Sequence, residues 1–109
     1  MSVGLVIVSH SSRIAEGILE LAGQMAEGVR IVAAGGTEDD GIGTSFERVR
    51  AGIEAADAGE GVVILCDLGS AVLTAETALD FADNPSAIRI AAAPIVEGAV
   101  AAAVAARIG

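Results

Sequence analysis

Four short apolar runs recur along the chain: Val3–Val8, Val29–Ala34, Gly61–Cys66 and Ala87–Ala93. Each is followed by a polar or glycine-containing break and then by residues with helical spacing. Ile14, Ile18, Leu21 and Met25 form the first such stripe, and Phe46, Val49 and Ile53 the second. Val72, Ala75, Leu79 and Ala82 form the third, and an Ala-rich stretch from Glu97 to Arg107 carries Val100 and Val104. The pattern is β-α repeated four times. It predicts one three-layer α/β/α domain over residues 1–109, with a mainly parallel four-stranded sheet and flavodoxin-like layering. The strand runs are apolar on consecutive positions, as expected where helices cover both faces. The longest break, Gly35–Gly43, holds four glycines and three acids and is expected to be a mobile surface loop.

Composition narrows the partners. With 109 residues the chain builds one core. Only two aromatics occur, so the core must rest on Val, Ile, Leu and Ala. The net charge of −9 disfavours nucleic acid and anionic membranes. The single cysteine, Cys66, excludes an intramolecular disulfide and suits a reducing cytoplasm. No basic leader precedes the first apolar run, and no run approaches the roughly 20 residues that span a bilayer.

In an open α/β sheet, ligands gather beyond the carboxyl ends of the strands. Four breaks converge there: Ser9-His10-Ser11-Ser12, then Gly35-Gly36-Thr37 leading to Thr44-Ser45, then Asp67-Leu68-Gly69-Ser70, and Pro94 to Gly98. His10 is the only histidine. A neutral imidazole is a nucleophile near pH 7, and the amides of a helix starting near Ser11 or Ser12 would stabilise an anion beside it. Asp67 is the natural partner to fix its tautomer. The plainer alternative is that His10 only packs in a loop. The serines have a similar alternative as helix caps, as do Thr44 and Ser45. Glu97 reads as a first-turn acid. Walker A, G-x-G-x-x-G, G-x-S-x-G and Cys/His metal patterns are all missing, so no cofactor or metal is expected.

The segments VIVSHSSRIAEGI, AAGGTEDDGIGTS, ILCDLGSAVLTAETAL and APIVEGAVAA closely resemble the phosphotransfer subunits of phosphoenolpyruvate-dependent dihydroxyacetone kinases. Their core domain is similar to the mannose-class enzyme IIA domains of the sugar phosphotransferase system. The likeness runs through nearly the whole chain in order. It implies that His10 takes a phosphoryl group from HPr and passes it to ADP bound on the kinase's nucleotide-binding subunit. It also implies a homodimer. Some such proteins carry HPr-like and enzyme-I-like domains fused downstream; this chain stops after the fourth helix, so its donor is expected in trans.

The expected site comprises His10 as carrier and Asp67 as its orienting partner. Ser9, Ser11, Ser12, Gly36, Thr44, Gly69 and Ser70 are expected to surround the phosphoryl group. Arg13 is expected on the docking surface, with Arg48 and Arg50 as weaker candidates. Two rival functions share the histidine: a mannose-type transport component donating to a IIB domain, and a regulatory module switched by phosphohistidine.

Overall fold

The computed structural model describes residues 2–109. The elements are β1 (Gly4–Ser9), α1 (Ser12–Met25), β2 (Ile31–Gly35), α2 (Phe46–Ala56), β3 (Val62–Cys66), α3 (Gly69–Asp80), β4 (Ile88–Ile90) and α4 (Ile95–Ile108). The strands form one sheet in the order β2-β1-β3-β4. Every pairing is parallel, with Ile7 opposite Ala33 on one side and Leu65 on the other.

Period-two alternation divides the strand side chains between two cores. Val6, Val8, Val62, Ile64 and Cys66 pack with α2 and α3. Leu5, Ile7 and Leu65 pack with α1 and α4. From β1 the chain first turns back to β2 and then crosses the sheet to β3. The strand order therefore reverses between β1 and β3, and the crevice at their carboxyl ends lies between Ser9 and Asp67.

Helix α2 buries Val49 and Ile53 of its expected stripe, whereas α1, α3 and α4 meet the sheet largely through smaller residues. On α1 the buried positions are Ala15, Ile18 and Ala22, whereas Ile14, Leu21 and Met25 are exposed. On α3 they are Ala71, Ala75 and Ala78, and on α4 Ala99, Ala103 and Ala106. Val104 faces outward. The large side chains filling each core come mainly from the sheet, so an Ala face brings the helix close enough to cover them. Spacing alone could not separate the Ala stripe from the Leu/Met stripe one position away, because both are apolar.

The fourth strand is shorter than its apolar run. Pro85–Ala87 is a turn of 3₁₀ helix, and pairing covers Ile88–Ile90. The Ala91 amide still donates to the Ile64 carbonyl at 2.9 Å before the chain leaves for Pro94. Pro94, which caps α4, places the helix start at Ile95, two residues ahead of Glu97.

The 35–43 segment corrects the expectation of a mobile loop. Arg48 donates to the Gly35 carbonyl at 2.9 Å, to the Glu38 carbonyl at 3.0 Å and to the Asp40 carboxylate at 2.9 Å. The amides of Thr37 and Gly41 close a further turn on Gly41 O and Thr37 Oγ1. Gly36 adopts φ +74°, a left-handed conformation that glycine enters without penalty. This turn is built and pinned, because three of its carbonyl and carboxylate acceptors share one guanidinium.

Candidate functional site

His10 follows β1 directly, and its position is set by its own backbone. Its carbonyl accepts from the Gly43 amide at 2.8 Å, and the Ser9 carbonyl accepts from Gly36 at 3.1 Å. Its amide donates to Asp67 Oδ2 at 3.0 Å. The peptide groups on both sides of the histidine are therefore fixed by β3 and by the 35–43 turn.

Asp67 directly follows β3 and is saturated with donors. Oδ1 accepts from His10 Nδ1 at 2.9 Å and from the Leu68 amide at 2.8 Å. Oδ2 accepts from Ser9 Oγ at 2.8 Å and from the His10 amide. Burial pushes the carboxyl pKa up. The hydrogen bonds from the His10 amide, the His10 ring, Ser9 and Leu68 outweigh it and hold the pKa below the ordinary value. An ionised carboxylate can only accept, so Nδ1 carries the hydrogen. In the neutral ring Nε2 then keeps its lone pair.

Nε2 lies 2.5 Å from Ser70 Oγ, which must be the donor to that lone pair. The His10 side chain is 19% exposed, and its Nε2 bond to Ser70 lies at the surface, so the reactive edge of the ring is reachable. Ser70 stands in the first turn of α3, whose cap position is Leu68 with no side-chain bond to the helix. The amides of Gly69 and Ser70 have no protein acceptor among the described residues. The helix dipole adds a partial positive charge there. The geometry thus combines an oriented nucleophilic nitrogen with hydroxyl and amide donors suited to an anion.

The other expected residues divide. Ser12 lies in the first turn of α1, against Gly36, with its amide unpaired among the described residues. Ser9 corrects its assignment: the side chain is fully buried, and its hydroxyl is spent on Asp67 while accepting from the Ser11 amide at 3.1 Å. Ser11 is likewise committed. Its amide goes to Ser9, and its hydroxyl caps α1 by accepting from Ile14 at 3.3 Å. A strand-end serine is buried or free according to the side it faces, which the residue type does not record. Gly36 acts through its backbone bond to Ser9. Thr44 shares a 2.7 Å hydrogen bond with Thr74, which donates back to the Ser70 carbonyl at 3.2 Å. Thr74 was not anticipated, because its partners come from other elements. Arg13 is exposed and makes no ion pair among the described residues. Arg48 and Arg50 are engaged internally, Arg50 with Glu47 and Glu54.

Cys66 precedes Asp67 but offers no reactive thiol. Burial, with the Asp67 charge adding to it, pushes its pKa up to about 11. Among the described residues no group of three or more His, Cys, Asp or Glu side chains converges as a metal-ligand set.

The fold and site are those of a doubly wound parallel α/β domain that carries its histidine at the switch point between β1 and β3. A family model described as the phosphotransferase-system (PTS) fructose IIA component, of the mannose-type EIIA class, matches residues 4–109, and the chain belongs to this family.

Named relatives agree. A Klebsiella michiganensis protein, "PEP-dependent dihydroxyacetone kinase, phosphoryl donor subunit DhaM", is 45% identical over 98% of this chain and 24% of its own length. A Listeria innocua protein, "PEP-dependent dihydroxyacetone kinase 2, phosphoryl donor subunit DhaM", is 41% identical over 94% of this chain and 84% of its own. The chain thus spans about a quarter of the longer relatives and most of the shorter ones. The solved structure of a protein described as "unknown function protein EF1359" superposes with a TM-score of 0.88 at 36% identity. The superposition covers 100% of this chain and 86% of that one.

Proposed function

We propose that this domain is a phosphohistidine carrier that moves a phosphoryl group from phospho-HPr to ADP held on the nucleotide-binding subunit of a dihydroxyacetone kinase. The observation that carries the reading is the pairing of Nδ1 with Asp67, which leaves Nε2 as the nucleophile beside Ser70 and the open amides of α3. The relatives' names supply the acceptor class.

In the first step the Nε2 lone pair attacks phosphorus in line. The bond from phosphorus to the donor's imidazole breaks, and that nitrogen takes the electron pair. Ser70 turns its hydroxyl from Nε2 to a phosphoryl oxygen, and the Gly69 and Ser70 amides meet the others. Asp67 stabilises the positive ring that results. In the second step a β-phosphate oxygen of ADP attacks phosphorus, the P–N bond breaks, and Nε2 regains its lone pair. Asp67 keeps its charge throughout, because it orients and does not take the proton.

Docking, dimerisation and location complete the proposal. Arg13 is placed on the docking rim. Leu21 and Met25 on α1, with Val104 and Ile108 on α4, leave apolar surface outward for a second copy. No helix among the described residues is long and apolar enough to cross a membrane, which is consistent with the cytoplasmic setting of such a relay.

Labelled phosphoenolpyruvate with enzyme I and HPr should give one acid-labile phosphate per chain, and His10→Ala should give none. Labelling of that variant would refute the reading. The family description names a fructose IIA component, so transfer to a IIB protein is the specific alternative. Presenting the labelled domain with ADP-loaded kinase subunit and, separately, with a IIB protein decides between them.

A further inference from the structure

Asp40 is the one non-glycine residue with positive φ among the described residues, at +63°. That left-handed region is unfavourable for L side chains, and Asp is among the few that enter it. Such a conformation persists where its surroundings over-determine it, and it clusters at functional sites. Asp40 is held from two directions. Its amide donates to the Thr37 carbonyl at 3.0 Å, and its carboxylate accepts from Arg48 Nη1 at 2.9 Å. Core packing does not require this, because Glu38, Asp39 and Asp40 are all exposed.

Arg48 is rooted in the core. It lies in the first turn of α2, its amide donates to the Ser45 hydroxyl at 3.2 Å, and its neighbour Val49 is fully buried. Its Nη1 reaches the Gly35 carbonyl as well as Asp40, and Nη2 reaches the Glu38 carbonyl. Those acceptors lie on both sides of Gly36, whose amide holds the Ser9 carbonyl, and just ahead of Gly43, whose amide holds the His10 carbonyl. The segment also fits closely against the start of α1, where a Cβ on Gly35 would lie 2.6 Å from the Ser11 carbonyl oxygen. One guanidinium thereby shapes the turn that holds both peptide groups flanking His10.

We propose that Arg48, together with Asp40, is a positioning residue for phosphoryl transfer, fixing the backbone of His10 so that Nε2 meets phosphorus in line. This rests on the reading of His10 as a phosphoryl carrier. Asp67 sets the tautomer and the ring, and Arg48 sets the main chain from which the ring projects. In-line attack tolerates little displacement, and a shift of about 1 Å caused far from the reacting atoms can slow a reaction about 10²-fold. All three acceptors of the guanidinium lie within this chain. Its role is therefore in rate rather than in attracting an acidic partner, which differs from the docking role that its charge alone suggests.

The test separates rate from affinity, and a protein donor from a small one. Arg48→Met keeps the apolar stem and removes the donors. Its transfer should be about tenfold slower from saturating phospho-HPr, and slower by the same factor from phosphoramidate. The KM for phospho-HPr and its salt dependence should match the wild type. By NMR the Gly36 and Gly43 amide protons should exchange faster with solvent. Asp40→Ala, at an exposed position, breaks the outer end of the clamp without touching the core and should slow transfer from both donors severalfold. A higher KM confined to phospho-HPr would overturn the inference by making Arg48 a docking cation. Wild-type rates with both donors in either variant would overturn it too. A wild type inert toward both donors would overturn the carrier reading itself, and this inference with it.

Discussion

Helices α1 and α3 both begin beside His10, yet their first turns are built in opposite ways. At α1 the Ser11 hydroxyl accepts from Ile14, and the Ser11 amide is taken by Ser9. At α3 the cap is Leu68, with no side-chain bond, and the Gly69 and Ser70 amides stay open. The α1 start is thus finished with a side-chain cap, although its Ser12 amide is also unpaired among the described residues, and the α3 start is left without such a cap. The finished one anchors the backbone that carries His10. The open one faces Nε2 through Ser70. A helix end with unpaired donors costs stability and offers an anion site, so the contrast separates scaffold from chemistry within one strand edge.

The largest effect should come from breaking the element both starts share. Asp67→Asn keeps the shape but supplies an NH₂ group where every neighbour is a donor. Phosphoryl transfer should fall by about 10²-fold or more, the scale of a lost orienting partner. Asp67 also links stability to pH. Its folded-state pKa is depressed, so its contribution is present above the unfolded value of about 3.9 and is lost as pH falls through the lower folded value. Acid titration of Tm should show that loss in the wild type and a flatter profile in Asp67→Asn. Equal transfer rates in both proteins would reduce Asp67 to a strand-end residue.

Ser70→Ala should follow in size. It removes the hydroxyl from Nε2 and leaves the fold intact, because that hydroxyl makes its bond at the exposed surface. Transfer should slow about tenfold, consistent with one lost donor to developing charge. Unaltered single-turnover rates would remove Ser70 from the site.

The two caps can then be exchanged. Leu68→Ser should stabilise the protein by about 0.5–1 kcal/mol, by giving α3 an acceptor for its Ser70 amide. It should slow transfer severalfold by occupying that amide. Ser11→Ala should do the reverse, costing about 1 kcal/mol with little effect on the chemical step. Denaturant unfolding and single-turnover kinetics measure the two sides. Parallel changes in both variants would erase the distinction between the two starts.

The smallest effect is expected at Thr74→Val, which keeps the shape but removes the Thr44 bridge and the bond to the Ser70 carbonyl. A roughly twofold loss of transfer with about 1 kcal/mol of stability fits a net hydrogen bond at a supporting position. A rate loss as large as that of Ser70→Ala would place Thr74 in the site itself.

The alternation of apolar runs and helical stripes was enough to read the layered parallel fold, because strand and helix periods differ. It did not reveal which stripe is buried. Ala15 and Ala22 win over Ile14 and Leu21 because the strand side chains Leu5 and Ile7 already fill the space beneath. The juxtaposition of His10 with Asp67 was legible from strand ends alone. The inward turn of Ser9, the bridge through Thr74 and the clamp of Arg48 on the 35–43 turn were not, because each depends on contacts across elements. The choice of ring nitrogen also needed geometry, since composition cannot say which one Asp67 holds.

That choice is the account's central claim, and nitrogen NMR on ¹⁵N-histidine-labelled protein tests it most directly. With one histidine, the ring signals are unambiguous. The unphosphorylated domain should show a proton on Nδ1 and a lone pair on Nε2. After incubation with phospho-HPr, phosphorus coupling should appear on Nε2 while Nδ1 keeps its proton. Coupling on Nδ1, or an acid-stable phosphate on a serine with the histidine signals unmoved, would contradict it.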